Sequence, residues 1–381
     1  MRLRHHSGRV VHLSHGTHER PARDLPAVVE HLDAYAAVRD QLAVETLGVS
    51  LWLPPTLAAA LAIDTRSRTR LRAEIAARGL EIVTLSGVAY AEGGDEDPEV
   101  PDWSSPARLE YTLDLARILT DLLPEDAVRG AVTTTGLGPR DGWDEAKGRA
   151  SARILSRLSA GLAEVAWSTG RAVRVGFQPE PGFVLDDTAS IVEAFGRLDR
   201  ERLGVCLDLC NLACTWQDPA AALVQFAAAG ISVIRVRIAA ALEATQPVAA
   251  ATALRGYVEP GHPHQVTNPA GDRVADLAQA LDDFPPGPWR VRCHVPLHST
   301  PPAPLTATTK VWQSALRHLT GGDHPGTEYL AVESSVRSRA VAGRSDGESS
   351  SAGDGGAEIA YMKGALGELG LSPPAEACAA R

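Results

Sequence analysis

Short apolar runs rich in β-branched residues alternate with longer amphipathic segments along most of the chain. This alternation is typical of βα units built around a parallel sheet. Nine strands are predicted, one more than a closed eight-stranded barrel needs, so we expect one of them to be peripheral. The predicted strands cover residues 10–14, 49–53, 81–85, 130–134, 173–177, 204–207, 232–238, 289–295 and 329–332.

The segments between these strands carry apolar residues three and four positions apart, which is the period of an amphipathic helix. Gly79, Gly170 and Gly230 follow three of these segments, as expected for helix C-caps. A repeating order of strand and helix favours an α/β fold of the (β/α)8 TIM-barrel type, with a doubly wound open sheet as the alternative. Helices are predicted over residues 25–42, 66–78, 109–122 and 220–229.

The composition changes after the last predicted strand. Residues 337–356 are mainly Ser, Gly, Arg, Ala and Asp, which cannot bury enough apolar surface to offset the entropy of ordering. We therefore predict a barrel over residues 1–336 and a flexible linker over 337–356. Apolar side chains recur at helical spacing after the linker, so residues 357–371 are predicted to form a helix that docks on the barrel, followed by a disordered tail over 372–381.

Composition and charge argue against several classes of protein. The chain has 381 residues, of which 44% are hydrophobic and 22% are charged, as in ordinary globular proteins. Its net charge of −10 argues against a nucleic-acid binder, which needs clustered positive charge. Five scattered cysteines fit a reducing compartment, and no apolar run is long enough for direct membrane insertion. We expect a cytoplasmic protein whose target is a small-molecule metabolite or another protein.

Polar residues close several of the predicted strands, where a (β/α)8 barrel carries its functional side chains. Glu180, Asp208, His294 and Glu333 lie at such strand ends. Carboxylate oxygens together with an imidazole suit a divalent ion such as Mn²⁺, Mg²⁺, Zn²⁺ or Co²⁺. These four residues are therefore the predicted metal ligands and catalytic groups, in chemistry of the isomerase, epimerase or lyase type.

Two arginines alternate with apolar residues along one strand, so both point to the same face. If that face is the barrel interior, Arg235 and Arg237 either bind a carboxylate or phosphate of the substrate, or neutralise the carboxylates of Asp208 and Glu333. Both alternatives remain open at the level of sequence. The predicted substrate-binding residues are Gln178, Asn211, Arg235, Arg237 and His298.

Several stretches, taken in order, resemble the EboE-type metabolite traffic proteins, a family with a xylose-isomerase-like TIM barrel. The resemblance spans about residues 10 to 371. It implies a role in gene clusters that move or process a prenylated or polyketide-like metabolite, with a UbiA-like prenyltransferase and a TatD-like hydrolase as partners. The residues that carry the resemblance are His12-Leu13-Ser14, Pro101-Asp102-Trp103, Arg108, Tyr111-Thr112, Leu122-Leu123-Pro124, Pro179-Glu180-Pro181, Cys206-Leu207-Asp208-Leu209-Cys210, His264-Gln265-Val266, His294-Val295-Pro296-Leu297, Thr308-Thr309 and Glu333.

The wider xylose-isomerase-like superfamily places metal-binding Glu, Asp, His and Glu on strands five to eight, and this sequence departs from that pattern. Gln178 stands where the first Glu is expected, and Arg235 lies on the strand that would carry the metal His. Asn211, three residues after Asp208, replaces another superfamily His. Because arginine cannot coordinate a metal, two functions stay open: a rearranged metal-dependent enzyme, and a non-catalytic barrel that binds a metabolite or partner with a degenerate metal site.

Overall fold

The computed structural model describes residues 1–16, 22–90, 101–196, 198–283, 285–333 and 351–373. Strands and helices alternate through most of this range, as the sequence pattern predicts. In chain order the elements are β1 (Arg2–Arg4), β2 (Val10–Gly16), α1 (Leu25–Gln41), β3 (Leu47–Trp52), α2 (Pro55–Ile63), α3 (Thr65–Ala77), β4 (Leu80–Gly87), α4 (Pro106–Leu122), β5 (Arg129–Thr135), α5 (Glu145–Thr169), β6 (Ala172–Gln178), α6 (Thr188–Phe195), β7 (Leu203–Asp208), α7 (Leu209–Cys214), α8 (Pro219–Ala228), β8 (Val233–Ile238), β9 (Ala240–Ala244), α9 (Pro247–Arg255), β10 (Val266–Thr267), β11 (Arg273–Val274), α10 (Leu277–Asp283), β12 (Trp289–Val295), β13 (Thr306–Ala307), α11 (Thr309–Thr320), β14 (Tyr329–Glu333) and α12 (Ser351–Glu368).

Eight parallel strands form a closed barrel. Strands β2 to β8 pair in sequence, and β14 lies between β8 and β2. The pairing of β14 with β2 and of β2 with β3 closes the ring, which excludes the open doubly wound sheet. The predicted (β/α)8 barrel is therefore confirmed, and its apolar core lies between the strands and the surrounding helices.

The ninth predicted strand, β12, is the peripheral one. It lies in an insertion, residues 239–308, between β8 and α11, where it forms part of a five-stranded antiparallel sheet of order β11-β10-β12-β9-β13. The insertion docks beside the carboxyl end of β7. Arg290 donates a hydrogen bond of 2.8 Å to the main-chain carbonyl of Ala213, and its guanidinium lies 3.9 Å from the centroid of the Trp216 ring.

Local sequence sets the ends of the barrel helices. Asp24 accepts a hydrogen bond of 2.9 Å from the Ala27 amide at the start of α1, and Asp218 accepts one of 2.8 Å from the Ala221 amide at the start of α8. Each satisfies an amide that the first helical turn leaves without a partner. Helix α5 ends at Gly170, whose φ of 69° is the left-handed conformation expected of a C-cap glycine.

Helix α12 begins at Ser351, within the segment predicted to be a linker, and packs on α1. Ile359, Met362 and Leu366 are fully buried. Beyond the helix, the amide of Ser372 donates a hydrogen bond of 3.0 Å to the carbonyl of Arg4, so the first residue of the predicted tail pairs with β1. Residues 334–350 and 374–381 lie outside the described residues, so the predicted flexibility of 337–350 and the predicted disorder of 374–381 stay predictions.

None of the helices in the described ranges combines the length and the apolar character that a bilayer crossing requires.

The close approach of β7 to β8 requires a glycine. A Cβ at Gly204 would overlap the main-chain oxygen of Ser232 and lie 3.0 Å from the Ile234 side chain. We expect Gly204→Ala to lower the free energy of unfolding by roughly 1–3 kcal/mol, because the strands must separate to admit the methyl group.

Gly364 of α12 is the matched control, since a Cβ there meets nothing within 4 Å. Gly364→Ala is expected to raise the free energy of unfolding by about 0.5–1 kcal/mol, the usual gain in a helix interior. Urea denaturation followed by circular dichroism measures both variants. Equal effects at the two glycines would contradict the steric argument.

Candidate functional site

Side chains from three barrel strands and from the insertion meet at the carboxyl ends of β6, β7 and β8. Parallel strands all end at the same side of a barrel, so residues that close neighbouring strands lie close together. Strand β12 of the insertion contributes two further side chains to the same place. We name this group the mouth cluster; it consists of Gln178, Glu180, Asp208, Arg237, Arg292 and His294.

Asp208 ends β7 and begins α7. Its Oδ1 atom accepts hydrogen bonds of 2.8 Å from the Cys210 amide and 3.0 Å from the Asn211 amide, so the carboxylate is the N-cap of the helix. Its Oδ2 atom accepts a hydrogen bond of 3.1 Å from Nη1 of Arg237, the residue opposite in the β7–β8 register. Both oxygens of this buried carboxylate are therefore occupied by N–H donors.

Glu180 follows β6 and is also buried. Its Oε1 atom accepts a hydrogen bond from Nε2 of Gln178, and its Oε2 atom forms an ion pair with Arg292 of β12. Gln178 thus positions Glu180, and the arginine that neutralises Glu180 comes from the insertion rather than from the barrel. Like Asp208, this carboxylate has a donor on each oxygen.

The charges of the mouth cluster stabilise one another. Burial opposes the ionisation of Asp208, but the two guanidinium groups of Arg237 and Arg292, together with His294, outweigh it and hold the pKa of Asp208 below its usual range. Burial likewise opposes the charge of Arg292, yet Glu180 and Asp208 raise its pKa above the usual value. Asp208 is therefore ionised and Arg292 is charged at neutral pH.

Arg235 lies two residues before Arg237 on β8, further from the carboxyl end of the strand. Its Nη1 atom donates a hydrogen bond of 3.4 Å to the Thr133 hydroxyl of β5. Strands β5 and β8 are not neighbours in the barrel, so this side chain crosses the interior. Arg235 and Arg237, two residues apart on one strand, share the inward face, and the alternative in which Arg237 neutralises Asp208 is the one that the structure contains.

The remaining predicted site residues have different positions. Asn211 is buried, and its Nδ2 atom donates hydrogen bonds of 3.4 Å to the carbonyls of Pro179 and Asp186, which ties the loop after β6 to α7. His298 is exposed on the turn after β12, and no hydrogen bond or ion pair in the described part of the chain joins it to the mouth cluster. The backbone of Glu333 ends β14 opposite Gly16, whereas its side chain lies outside the described part.

The described residues form no ready-made site for a divalent ion. All four oxygens of Glu180 and Asp208 accept hydrogen bonds or ion pairs from nitrogen donors, so a metal would have to compete with these donors for the carboxylates. Among the described side chains, no group of three His, Cys, Asp or Glu residues is close enough to hold a metal. Arginine side chains supply the cations that neutralise Glu180 and Asp208 in this structure. The predicted role of Glu180, Asp208, His294 and Glu333 as metal ligands stays a prediction, because the side chain of Glu333 lies outside the described part.

Sequence reasoning missed Arg292. The signal was present, since Arg290, Arg292 and His294 alternate along β12 with buried apolar residues, and period-two alternation places all three on one face. Only His294 was singled out, because imidazole is a metal ligand and guanidinium is not. A search for the countercharge of Glu180 would have pointed to this face.

The fold agrees with a known family. The model of the xylose isomerase-like TIM barrel family matches residues 41–246, which is more than half of the chain. The chain belongs to the xylose isomerase-like TIM barrel family. No curated protein matches it in sequence.

Solved structures share this xylose isomerase-like fold at low sequence identity. One is a xylose isomerase-like TIM barrel protein from Mycobacterium smegmatis in complex with magnesium, 13% identical over 94% of this chain and 97% of that one, with a TM-score of 0.53. An L-ribulose 3-epimerase is 15% identical over 94% and 95% of the two chains, with a TM-score of 0.51. A xylose isomerase domain protein from Alicyclobacillus acidocaldarius is 14% identical over 94% and 99%, with a TM-score of 0.50. These similarities establish a common fold.

Removing the cation of the Asp208 pair is expected to be costly. Arg237→Leu leaves a buried carboxylate without its guanidinium, and we expect the free energy of unfolding to fall by roughly 3–5 kcal/mol. Arg70→Leu, which changes an exposed arginine on α3, should shift it by no more than about 0.5 kcal/mol. Adding Asp208→Asn to Arg237→Leu should recover part of the loss, because the amide caps α7 without charge. Urea denaturation tests all three variants, and an unchanged stability of Arg237→Leu would contradict the pairing.

The depressed pKa of Asp208 predicts a pH dependence of stability. Its folded-state pKa lies below the unfolded value of about 3.9, so the ionised group stabilises the fold above that pH, and the contribution is lost as the pH falls through the folded pKa. The stability difference between wild type and Asp208→Asn should therefore shrink below about pH 4. Thermal unfolding from pH 7 to pH 2.5 measures it, with exposed Asp141→Asn as the control. A difference that stays constant would exclude the predicted role of Asp208.

Proposed function

We propose that this protein binds a small hydroxylated metabolite through a carboxylate or phosphate group at the mouth cluster, as a cytoplasmic metabolite traffic protein of the EboE type. The observation that supports this proposal most directly is the arrangement of charge at the mouth. The two carboxylates lie beneath the arginines, so the mouth presents positive charge to a solute.

The exposed fractions of these side chains support the placement of the carboxylates beneath the arginines. The side chains of Asp208 and Glu180 are 1% and 8% exposed, whereas those of Arg237 and Arg292 are 14% and 29% exposed. Guanidinium groups match carboxylate and phosphate oxygens with paired N–H donors. A guanidinium has five N–H donors, so Arg292 can keep Glu180 while donating to a ligand. His294, on the same face of β12, adds a hydrogen-bonding group for a hydroxyl or carbonyl.

The traffic role rests on the ordered resemblance over residues 10–371. In this proposal the barrel holds a metabolite between two partners, a UbiA-like prenyltransferase and a TatD-like hydrolase. A binding protein of this kind needs no metal, which agrees with carboxylates that are already neutralised by arginines of the protein. Recognition of the metabolite then depends on the guanidinium groups of the mouth rather than on coordination to a metal ion.

A second candidate function is acid–base isomerisation or epimerisation without a metal. The position of His294 favours it, because this side chain lies near enough to Asp208 to influence its ionisation. Removal of a proton next to a carbonyl needs a base within reach and a positive group that stabilises the oxyanion. His294 and Arg292 lie on one face of β12 and supply the two groups. Incorporation of solvent deuterium next to the carbonyl of a bound ketose phosphate would favour this candidate over binding alone.

A ligand panel tests the proposed function. Sugar phosphates and hydroxy acids are compared with the neutral sugars of the same carbon skeletons, by thermal shift and then by calorimetry. The anionic ligands should raise the melting temperature of the protein and the neutral sugars should not, because the accessible groups of the mouth are cationic. Arg292→Gln should weaken the best charged ligand roughly tenfold or more, which corresponds to about 1.4 kcal/mol.

Two controls accompany the panel. Arg70→Gln removes an exposed arginine elsewhere and should leave the affinity unchanged, and a chelator should have no effect on wild type. Equal binding of charged and neutral ligands would contradict recognition by the arginines. Loss of binding in the chelator would show that a metal takes part, and that would overturn the proposal.

A further inference from the structure

A cavity lies at the opposite end of the barrel from the mouth cluster. It has a volume of about 600 Å³, and its lining includes residues at the starts of β5, β6, β8 and β14, such as Arg129, Arg174 and Tyr329. Because the barrel strands are parallel, their starts lie at the end opposite to Asp208 and Arg237. We call this cavity the base pocket.

Positive charge dominates one side of the base pocket. Arg9 and Arg129 share a single carboxylate, that of Glu328, with nitrogen–oxygen distances of 3.8 Å and 3.6 Å. The Nε atom of Arg174 donates a hydrogen bond of 2.9 Å to the main-chain carbonyl of Glu201. Within the described ranges, no carboxylate oxygen lies within 4.0 Å of the Arg174 guanidinium nitrogens. The lining of the pocket thus contains four arginines, the fourth being Arg202, and two glutamates, Glu201 and Glu328, so positive charge is in excess.

The charge of Arg174 is poorly compensated by the protein itself. Burial is the main cause that lowers the pKa of Arg174, and the neighbouring Arg129 lowers it further, whereas Glu328, Tyr329 and Glu201 raise it by less than burial lowers it. An arginine stays protonated at any ordinary pH, so the shift reflects an unfavourable environment for a charge that persists. A bound anion would relieve it, since a nearby opposite charge stabilises a half-buried ion.

The lining of the base pocket also contains apolar residues. They include Leu162 and Ala166 of α5 and Leu223 and Phe226 of α8. A cavity that joins an apolar wall to a few charged groups is the usual form of a small-molecule site, and a volume of several hundred Å³ suits a ligand of modest size. The two kinds of lining residue together specify a ligand with an anionic head and an apolar portion.

We propose that the base pocket is a second ligand site, which binds a small amphiphilic oxyanion, an organic phosphate or carboxylate, with its head on Arg174 and Arg129 and its apolar portion against α5 and α8. The site is independent of the mouth cluster and of the function proposed there. Its ligand enters from the amino-terminal end of the barrel, so occupation of one site does not block the other.

Calorimetry on the full chain tests this site with n-hexyl phosphate as the probe. Inorganic phosphate and hexanol are measured as well, because they represent the anionic head and the apolar portion of the probe separately. Hexyl phosphate should bind roughly tenfold or more tighter than phosphate, because the apolar wall adds to the charge interaction. Arg174→Gln should weaken hexyl phosphate roughly tenfold or more. Arg129→Gln, at an exposed arginine whose loss the fold tolerates, should weaken it in the same direction.

Controls separate the two ends of the barrel. Arg70→Gln and the mouth variant Arg292→Gln should leave this binding unchanged, and hydrogen exchange in the presence of the probe should slow at residues 325–329. Unchanged affinity in both Arg174→Gln and Arg129→Gln would overturn the proposal. So would equal binding of hexanol, or protection confined to residues 292–298, which would assign the probe to the mouth.

Discussion

Two neighbouring barrel strands end in opposite charges, and the parallel register of β7 and β8 places Asp208 beside Arg237. The same carboxylate caps α7 through the amides of Cys210 and Asn211. An ionised carboxylate in so buried a position requires both kinds of partner, because desolvation alone would favour the protonated acid. The pair therefore fixes the end of one strand, the start of a helix and the position of a guanidinium together.

Helix α7 transmits this constraint to the insertion. It packs on β9 and β12, and Arg290 of β12 donates to the carbonyl of Ala213 in the helix. Once β12 is held there, the alternation of its side chains carries Arg292 to Glu180. The site is thus assembled from two substructures that are distant in sequence. The charge pair at Asp208 supports the surface against which the second substructure docks.

Much of the fold could be predicted from the spacing of apolar residues. Apolar residues that recur every two positions indicate the buried face of a strand, and those that recur every 3.6 positions indicate the buried face of a helix. Pairing partners are not local, so the strand over Trp289–Val295 was recognisable while its place outside the barrel was not. His298 was expected near the site because it follows His294 by four residues. The strand ends at Val295, however, and the turn that follows leaves His298 exposed. The choice between a metal and a guanidinium as countercharge depends on side-chain geometry of a few tenths of an ångström, which a sequence pattern does not contain.

A guanidinium is a different kind of cation from a divalent metal. A metal draws oxygen ligands from several strands to one point, typically at about 2.0–2.6 Å, and activates a bound oxygen as a Lewis acid. A guanidinium is planar and donates along fixed directions, so each one serves one or two acceptors and leaves their positions separate. Glu180 and Asp208 accordingly have different arginines from different elements, instead of converging on a shared ion. An arrangement of this kind is suited to orient and neutralise an anionic group of a ligand, and His294 adds an ordinary acid–base group beside the two arginines.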